Sequence, residues 1–228
     1  MSEALAEPTP HRHNLRVHTD VGPVDLPTGI DSLDAFCGWA TSPAAEALLA
    51  VRAAWIDGRM EVELGGSDPV THGTPKAEIA AAIVRRLDEL EIGRAFTGGA
   101  LFAVGPADLA VAPDVCVLAA ESVREGRVRI RASRSGGIAM FEGPPDLAVE
   151  IVSPSDPAKD TVRLFDAYYR AGVEEYWVVD AIGALRSYDL HPRGGPVRAG
   201  RRGRRLPTFA AAVRVISTPR GRFAGRPS

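Results

Sequence analysis

Between residues 74 and 180 the chain switches between two hydrophobic periods. Ile79, Ile83, Leu87 and Leu90 recur at intervals of four, four and three residues after Thr74-Pro75, which predicts a helix with one apolar face. Asp146 to Val152 alternates instead. Leu147, Val149 and Ile151 face one side, and Asp146, Ala148, Glu150 and Val152 the other, as in a strand. Asp156-Pro157 then supplies a helix N-cap and a favoured first helical residue, Gly172 a stop, and EEYWVVD a second run of strand formers. AFTGGALFAV and VAPDVCVLA read as two more strands, joined near Gly105-Pro106. The predicted order is helix, three strands, helix, strand: an α/β domain with a mixed sheet.

The flanks are less regular. SPAAEALLAVRAA predicts a short helix over Pro43–Ala54 with Ser42 as its cap, and WIDGRMEVEL a hairpin turning at Asp57-Gly58. Residues 1–40 show little periodicity and read as a loosely ordered lead-in. Ser122–Gly143 is polar, rich in arginine and glycine, and reads as an excursion or hairpin. RGGPVRAGRRGRR is a loop by composition, and LPTFAAAVRVIS a last strand or short helix. The expected division is a lead-in over 1–40, one domain over 41–192 and an arginine-rich segment over 193–228.

Composition narrows the class. A chain of 228 residues with 45% apolar and 25% charged positions suits one ample core. No run approaches the roughly 18 apolar residues of a membrane span, so no membrane partner is expected. Cys37 and Cys116 cannot form a disulfide framework or a four-ligand zinc site, and a reducing cytoplasm is the expected compartment. Charge is unevenly placed: residues 181–228 hold 11 arginines against one acid, Asp189. That segment is either a contact for a polyanion or a basic tail balancing an acidic body. Lys76 and Lys159 are the only lysines, so chemistry that needs one has two candidates.

The candidate chemistry lies in the strands. A charged Glu150 in an apolar strand is costly unless it binds something, and Asp114 in VAPDVCVLA has the same character. Two acids on neighbouring strands are the minimal apparatus for a divalent cation. Each also has a plain alternative: Asp114 capping a turn after Pro113, and Glu150 pairing with an arginine. His72, in Thr71-His72-Gly73 before the first core helix, is a cap, a surface residue or a site residue. Tyr168, Tyr176 and Trp177 read as core or subunit-contact aromatics rather than base-stacking groups. Cys116 reads as a small buried apolar residue. His11, His13 and His18 are too irregularly spaced to read as metal ligands.

GRMEVE, the THG step before a helix, the PDV strand, PDLAVEIVSPS and YYRAGVEEYWVVD, spread over roughly Trp55 to Asp180, resemble the Uma-two family of bacterial proteins named as endonucleases. That family lies within the restriction-endonuclease-like superfamily named for its PD-(D/E)xK motif. The resemblance implies a metal-dependent endonuclease that hydrolyses phosphodiester bonds of DNA. Asp114 and Glu150 would bind Mg²⁺, with Mn²⁺ as a substitute, and the Ile151 carbonyl is a further ligand candidate. His72 would orient the phosphate or water. Glu61 is a weaker candidate, or a solvated hairpin residue.

The chain departs from the family pattern at its lysine. Val152 stands two residues after the second acid, and Leu164 stands four before Tyr168. Lys159 or Arg163 is then the substitute, and arginine supplies charge without accepting a proton. The implied partners are DNA, contacted through 193–226, and a second copy of the chain in a homodimer. The competing expectation is a catalytically inactive nucleic-acid-binding or assembly module that retains the fold. A third is an enzyme acting on another phosphate ester.

Overall fold

The computed structural model describes residues 15–19, 22–46, 51–64, 69–133, 137–152, 157–179 and 185–189. Thirteen strands and five α-helices are defined among them. A two-stranded hairpin, β1 (Leu15–Thr19) and β2 (Gly22–Leu26), leads to α1 (Leu33–Ala40) and the one-turn α2 (Pro43–Glu46). The hairpin β3 (Val51–Ile56) and β4 (Arg59–Leu64) precedes α3 (Thr74–Leu90). β5 (Gly93–Phe96), β6 (Phe102–Val104), β7 (Leu109–Val111) and β8 (Val115–Ala119) follow, then α4 (Ala120–Arg124). β9 (Arg129–Ala132), β10 (Ile138–Glu142) and β11 (Leu147–Ile151) precede α5 (Leu164–Ala171), β12 (Glu175–Val179) and β13 (Leu185–Asp189).

Two mixed sheets carry the architecture. One runs β4-β3-β7-β6-β10-β9, the other β13-β12-β11-β8-β5. In the second, β11 is antiparallel to β8 and parallel to β12, and α5 makes the crossover between β11 and β12. The predicted core order is therefore present: α3, three strand runs, α5, β12.

The runs AFTGGALFAV and VAPDVCVLA, each expected as one strand, are each two. β6 pairs with β7 in the six-stranded sheet, and β5 pairs with β8 in the five-stranded one. The chain thus passes from one sheet to the other and back. On the outward arm Gly98 and Gly99 adopt positive φ, which glycine alone tolerates easily. On the return arm Pro113, which has no N–H to give a ladder, breaks the strand. Asp114 stands at that break rather than inside a strand.

Burial explains the layers. Ile79, Ile83 and Leu87 of α3 pack on Val115, Val117, Leu147, Val149 and Ile151, covering one face of the five-stranded sheet; Leu90 is only half-buried. The other face, with Ala148, Tyr176 and Val178, meets α5 and the inner face of the six-stranded sheet at Ile56, Val104, Leu109 and Val111. The outer face of the six-stranded sheet is covered by α1, whose Phe36 packs beside Trp55.

Three expectations change here. Of the helix predicted over Pro43–Ala54, the described residues hold one turn, Pro43–Glu46, and its last part is strand instead: Val51–Ile56 pairs with β4, and Trp55 and Ile56 pair with β7. Cross-strand pairing and the burial of Trp55 override local helix propensity. Within 1–40, residues 15–26 form a hairpin and Leu33–Ala40 a helix capped by Ser32 and anchored by Phe36, so this part is not a loose lead-in. β13 was not anticipated. The Asp57-Gly58 turn holds as expected, with both residues at positive φ, and Gly172 ends α5 in the left-handed conformation. Asp156, residues 193–228 and His11 and His13 lie outside the described residues.

Candidate active site

The site lies between the two sheets at the start of α5. Arg52, Ala54 and Ile56 alternate onto the inner face of β3, opposite Glu63, Glu61 and Arg59 of β4. Arg52, Glu61, Glu63, Glu150, Lys159, Arg163 and Leu164 line a cleft of about 460 Å³, with Val111 and Ala112 in its wall. Both helices that border the site begin on a wide π-helical turn. Pro69–Gly73 precedes α3 and carries His72, and Lys159–Arg163 precedes α5. Such turns are rare and recur at functional sites.

Asp114 is fully buried, and both its oxygens face donors. Oδ2 accepts from the Ile151 N–H at 3.0 Å and lies 3.1 Å from His72 Nε2. Oδ1 accepts from the Arg52 guanidinium and from Lys76 Nζ at 3.3 Å. Burial alone would raise the Asp114 pKa. The His72 hydrogen bond, the Arg52 charge and the Ile151 N–H together outweigh it and hold the carboxyl well below its ordinary range.

Glu150 has the opposite character. It points to the α5 face, 4% exposed, and accepts a 2.7 Å hydrogen bond from the Tyr168 hydroxyl. Its pKa is pushed up to about 8, first by burial and then by the negative charges of Asp114 and Asp160; Tyr168 and Lys159 oppose the rise without reversing it. Tyr168→Phe is expected to reduce stability by about 1–3 kcal/mol above pH 8, where Glu150 is ionised, and by less at pH 5. Urea denaturation at the two pH values measures the difference.

The sequence-predicted residues fall into two groups. His72 and Asp114 are in contact, and Glu150 lies one residue from the amide that binds Asp114. Lys159 and Arg163 reach across the cleft to β4: Lys159 Nζ lies 2.9 Å from Glu63 Oε2, and Arg163 holds Glu61 with two bonds of 2.8 and 3.0 Å. Glu61 is thus an ion-pair partner. Burial would lower the Lys159 pKa, but Asp160, Glu63 and Glu150 raise it above the ordinary value, so Lys159 acts as a fixed cation. Leu164 is buried in the apolar core and the cleft wall. Tyr176 and Trp177 are core residues as expected, whereas Tyr168 is both core and a partner of Glu150. Cys116 is buried, and burial pushes its thiol up to about 12.

Sequence reasoning missed Arg52 and Lys76. Arg52 was hidden by its assignment to a helix; extending the Asp57-Gly58 hairpin by three more pairs beyond Trp55–Met60 would have set it opposite Glu63. Lys76 had a signal, as one of the two lysines.

Tested as a cation site, the donors fit unequally. Glu150 suits it, a carboxylate bordering the cleft whose ionised form Tyr168 and Lys159 compensate only in part. Asp114 does not in this arrangement, because four donors occupy its two oxygens. Among the described residues no three His, Cys, Asp or Glu side chains converge as metal ligands. No helix among them is long and apolar enough to cross a membrane.

A five-stranded mixed sheet carrying α3 on one face and the α5 crossover on the other defines a restriction-endonuclease-like fold. The chain resembles a crystal structure of a "putative nuclease belonging to DUF820" from Anabaena variabilis ATCC 29413, with a TM-score of 0.51 and 21% identity over 79% of this chain and 91% of that one. Residues 45–219 match the model of the Uma2 family, described as "Putative restriction endonuclease", and the chain belongs to that family. No curated protein matches it.

Proposed function

We propose that the cleft binds and hydrolyses phosphodiester bonds of DNA. The observation that carries this reading is the placement of Glu150 in a cleft bordered by three cations: Arg52 from β3, and Lys159 and Arg163 from the two ends of the turn that opens α5. A phosphodiester entering there meets guanidinium groups suited to bidentate binding and an ammonium that supplies charge. Arg163 and Lys159 are already ion-paired, so phosphate must compete with Glu61 and Glu63 for them. His72 is held against Asp114 Oδ2, and its part in this proposal is to position that carboxylate beside the phosphate and water. Mg²⁺, with Mn²⁺ as its substitute, belongs to this proposal with Glu150 as its protein ligand, and supplies Lewis-acid activation of the phosphate.

Supercoiled plasmid incubated with Mg²⁺ or Mn²⁺ tests the reading. Nicking or linearisation is expected from the wild type and not from Glu150→Ala. Equal cleavage by both proteins would place the chemistry elsewhere. Arg163→Ala is expected to weaken duplex binding by about 1–3 kcal/mol, measured by fluorescence anisotropy at fixed salt.

A second reading is favoured by Leu164 and by the occupied Asp114 carboxylate: a nucleic-acid-binding module without catalysis. It predicts salt-dependent duplex binding, no cleavage with either ion, and strong weakening when residues 198–228 are deleted. A cytoplasmic location, a homodimer and a DNA contact through 193–226 belong to the same set of proposals.

A further inference from the structure

The two oxygens of Asp114 are held by partners of different kinds. Oδ2 faces a backbone amide and a ring that is itself buried, neither of which can leave without moving β11 or the turn before α3. Among the described residues Oδ1 faces only Arg52 and Lys76, two long side chains that keep 33% and 24% of their surface exposed. Arg52 borders the cleft, while the Asp114 side chain is 1% exposed. The guanidinium is therefore the cleft-side cover of the carboxylate.

Building on the nuclease reading above, we propose that Arg52 is the exchangeable counter-ion of the site. Its guanidinium holds Asp114 Oδ1 in the free protein and transfers to a nucleic-acid phosphate, so that substrate and a divalent cation load cooperatively. The exchange is balanced in charge. Guanidinium binds phosphate through the same pair of parallel N–H···O bonds that it offers a carboxylate. Its departure leaves Asp114 with His72, Lys76 and the Ile151 amide, and opens Oδ1 on the cleft side beside Glu150. A divalent cation can then take the place the guanidinium held at Oδ1. Linkage then requires that phosphate strengthen cation binding and that the cation strengthen phosphate binding by the same factor. This also reconciles the occupied Asp114 with a site that takes a metal ion.

The test is Mn²⁺ titration of the full chain by calorimetry, with and without a short duplex carrying non-hydrolysable phosphorothioate linkages. Arg52→Ala is expected to bind Mn²⁺ about tenfold more tightly than wild type in the absence of duplex. Arg52→Lys should fall between them, and Arg163→Ala, which removes the same charge from the same cleft, should change affinity much less. Duplex should tighten Mn²⁺ binding to the wild type strongly and to Arg52→Ala only weakly. Unchanged or weaker Mn²⁺ binding by Arg52→Ala overturns the proposal, as does an equal gain in Arg163→Ala or a wild type indifferent to duplex. Each of these leaves the nuclease reading standing. Absence of Mn²⁺ binding in every protein, with and without duplex, removes that reading and this proposal together. Circular dichroism checks each variant, and if Arg52→Ala does not fold, Arg52→Lys and the duplex dependence of the wild type decide.

Discussion

Asp114→Ala is expected to destabilise the protein by about 3–5 kcal/mol, the range for removing one partner from a buried charge cluster. Three basic side chains and one backbone amide converge on that carboxylate, and it is the most buried member of the group. Removing it leaves Arg52 and Lys76 in mutual repulsion and orphans the Ile151 N–H. Loss of cleavage in this variant is therefore expected to reflect lost structure as well as lost chemistry. Asp114→Asn, which keeps one acceptor oxygen, should recover part of the difference in urea denaturation. The pH dependence has a definite sign. A carboxyl whose folded-state pKa lies below its unfolded value contributes stability above that unfolded value, about 3.9. The contribution is lost as pH falls through the depressed folded value, so wild type and Asp114→Ala should converge in acid. Equal stability of the two proteins at pH 7 would refute the structural role.

Glu150→Gln is expected to do the reverse, stabilising the fold while removing activity. A glutamic acid with a folded pKa near 8 is held neutral by its surroundings at the pH where the unfolded chain ionises it. Its protonated form is fully tolerated below about pH 4.5. As pH rises from there the wild type loses stability, at most about 1.4 kcal/mol per unit, and the loss levels off above pH 8. Glutamine has nearly the same shape, keeps an oxygen for the Tyr168 hydroxyl and carries no charge. The variant should match the wild type at pH 4.5 and exceed it at pH 8, as read by thermal or urea unfolding. A gap that does not widen with pH would mean that Glu150 is compensated in some other way. The trade of stability for function is the pattern expected where a buried charge is kept for chemistry.

How much of this was legible depended on whether a signal was local. The helical period of Ile79, Ile83 and Leu87 and the alternation of Leu147, Val149 and Ile151 are local, and both elements stand where the pattern put them. The exchange of strands between sheets was not legible. Nothing in AFTGGALFAV says that its two halves pair in different sheets, because that depends on which partner each half meets. Glu150 and Asp114 were visible as acids in apolar runs, and His72 by its place before a helix. The ionic partners of the site were not: Arg52 to Asp114 spans 62 residues of sequence and Arg163 to Glu61 spans 102. Pairings at such distances are set by the packing of the two sheets. Lys159 and Arg163 were found by proximity to an expected position, yet their pairing with β4 is a tertiary fact.

The wide turns that open α3 and α5 have a genetic consequence. A π turn carries one residue more than an α turn, and a residue subtends about 100° around a helix axis. Deleting a single codon within 69–73 would let the ordinary pitch close and swing the remaining residues of that turn by that angle, taking His72 off Asp114 while Ile79, Ile83 and Leu87 kept their seats. The same holds for 159–163, where a one-codon loss would turn Lys159 away from Glu63 without disturbing Tyr168. In this chain the smallest in-frame deletion is thus a cleaner way to silence the site than many substitutions within it.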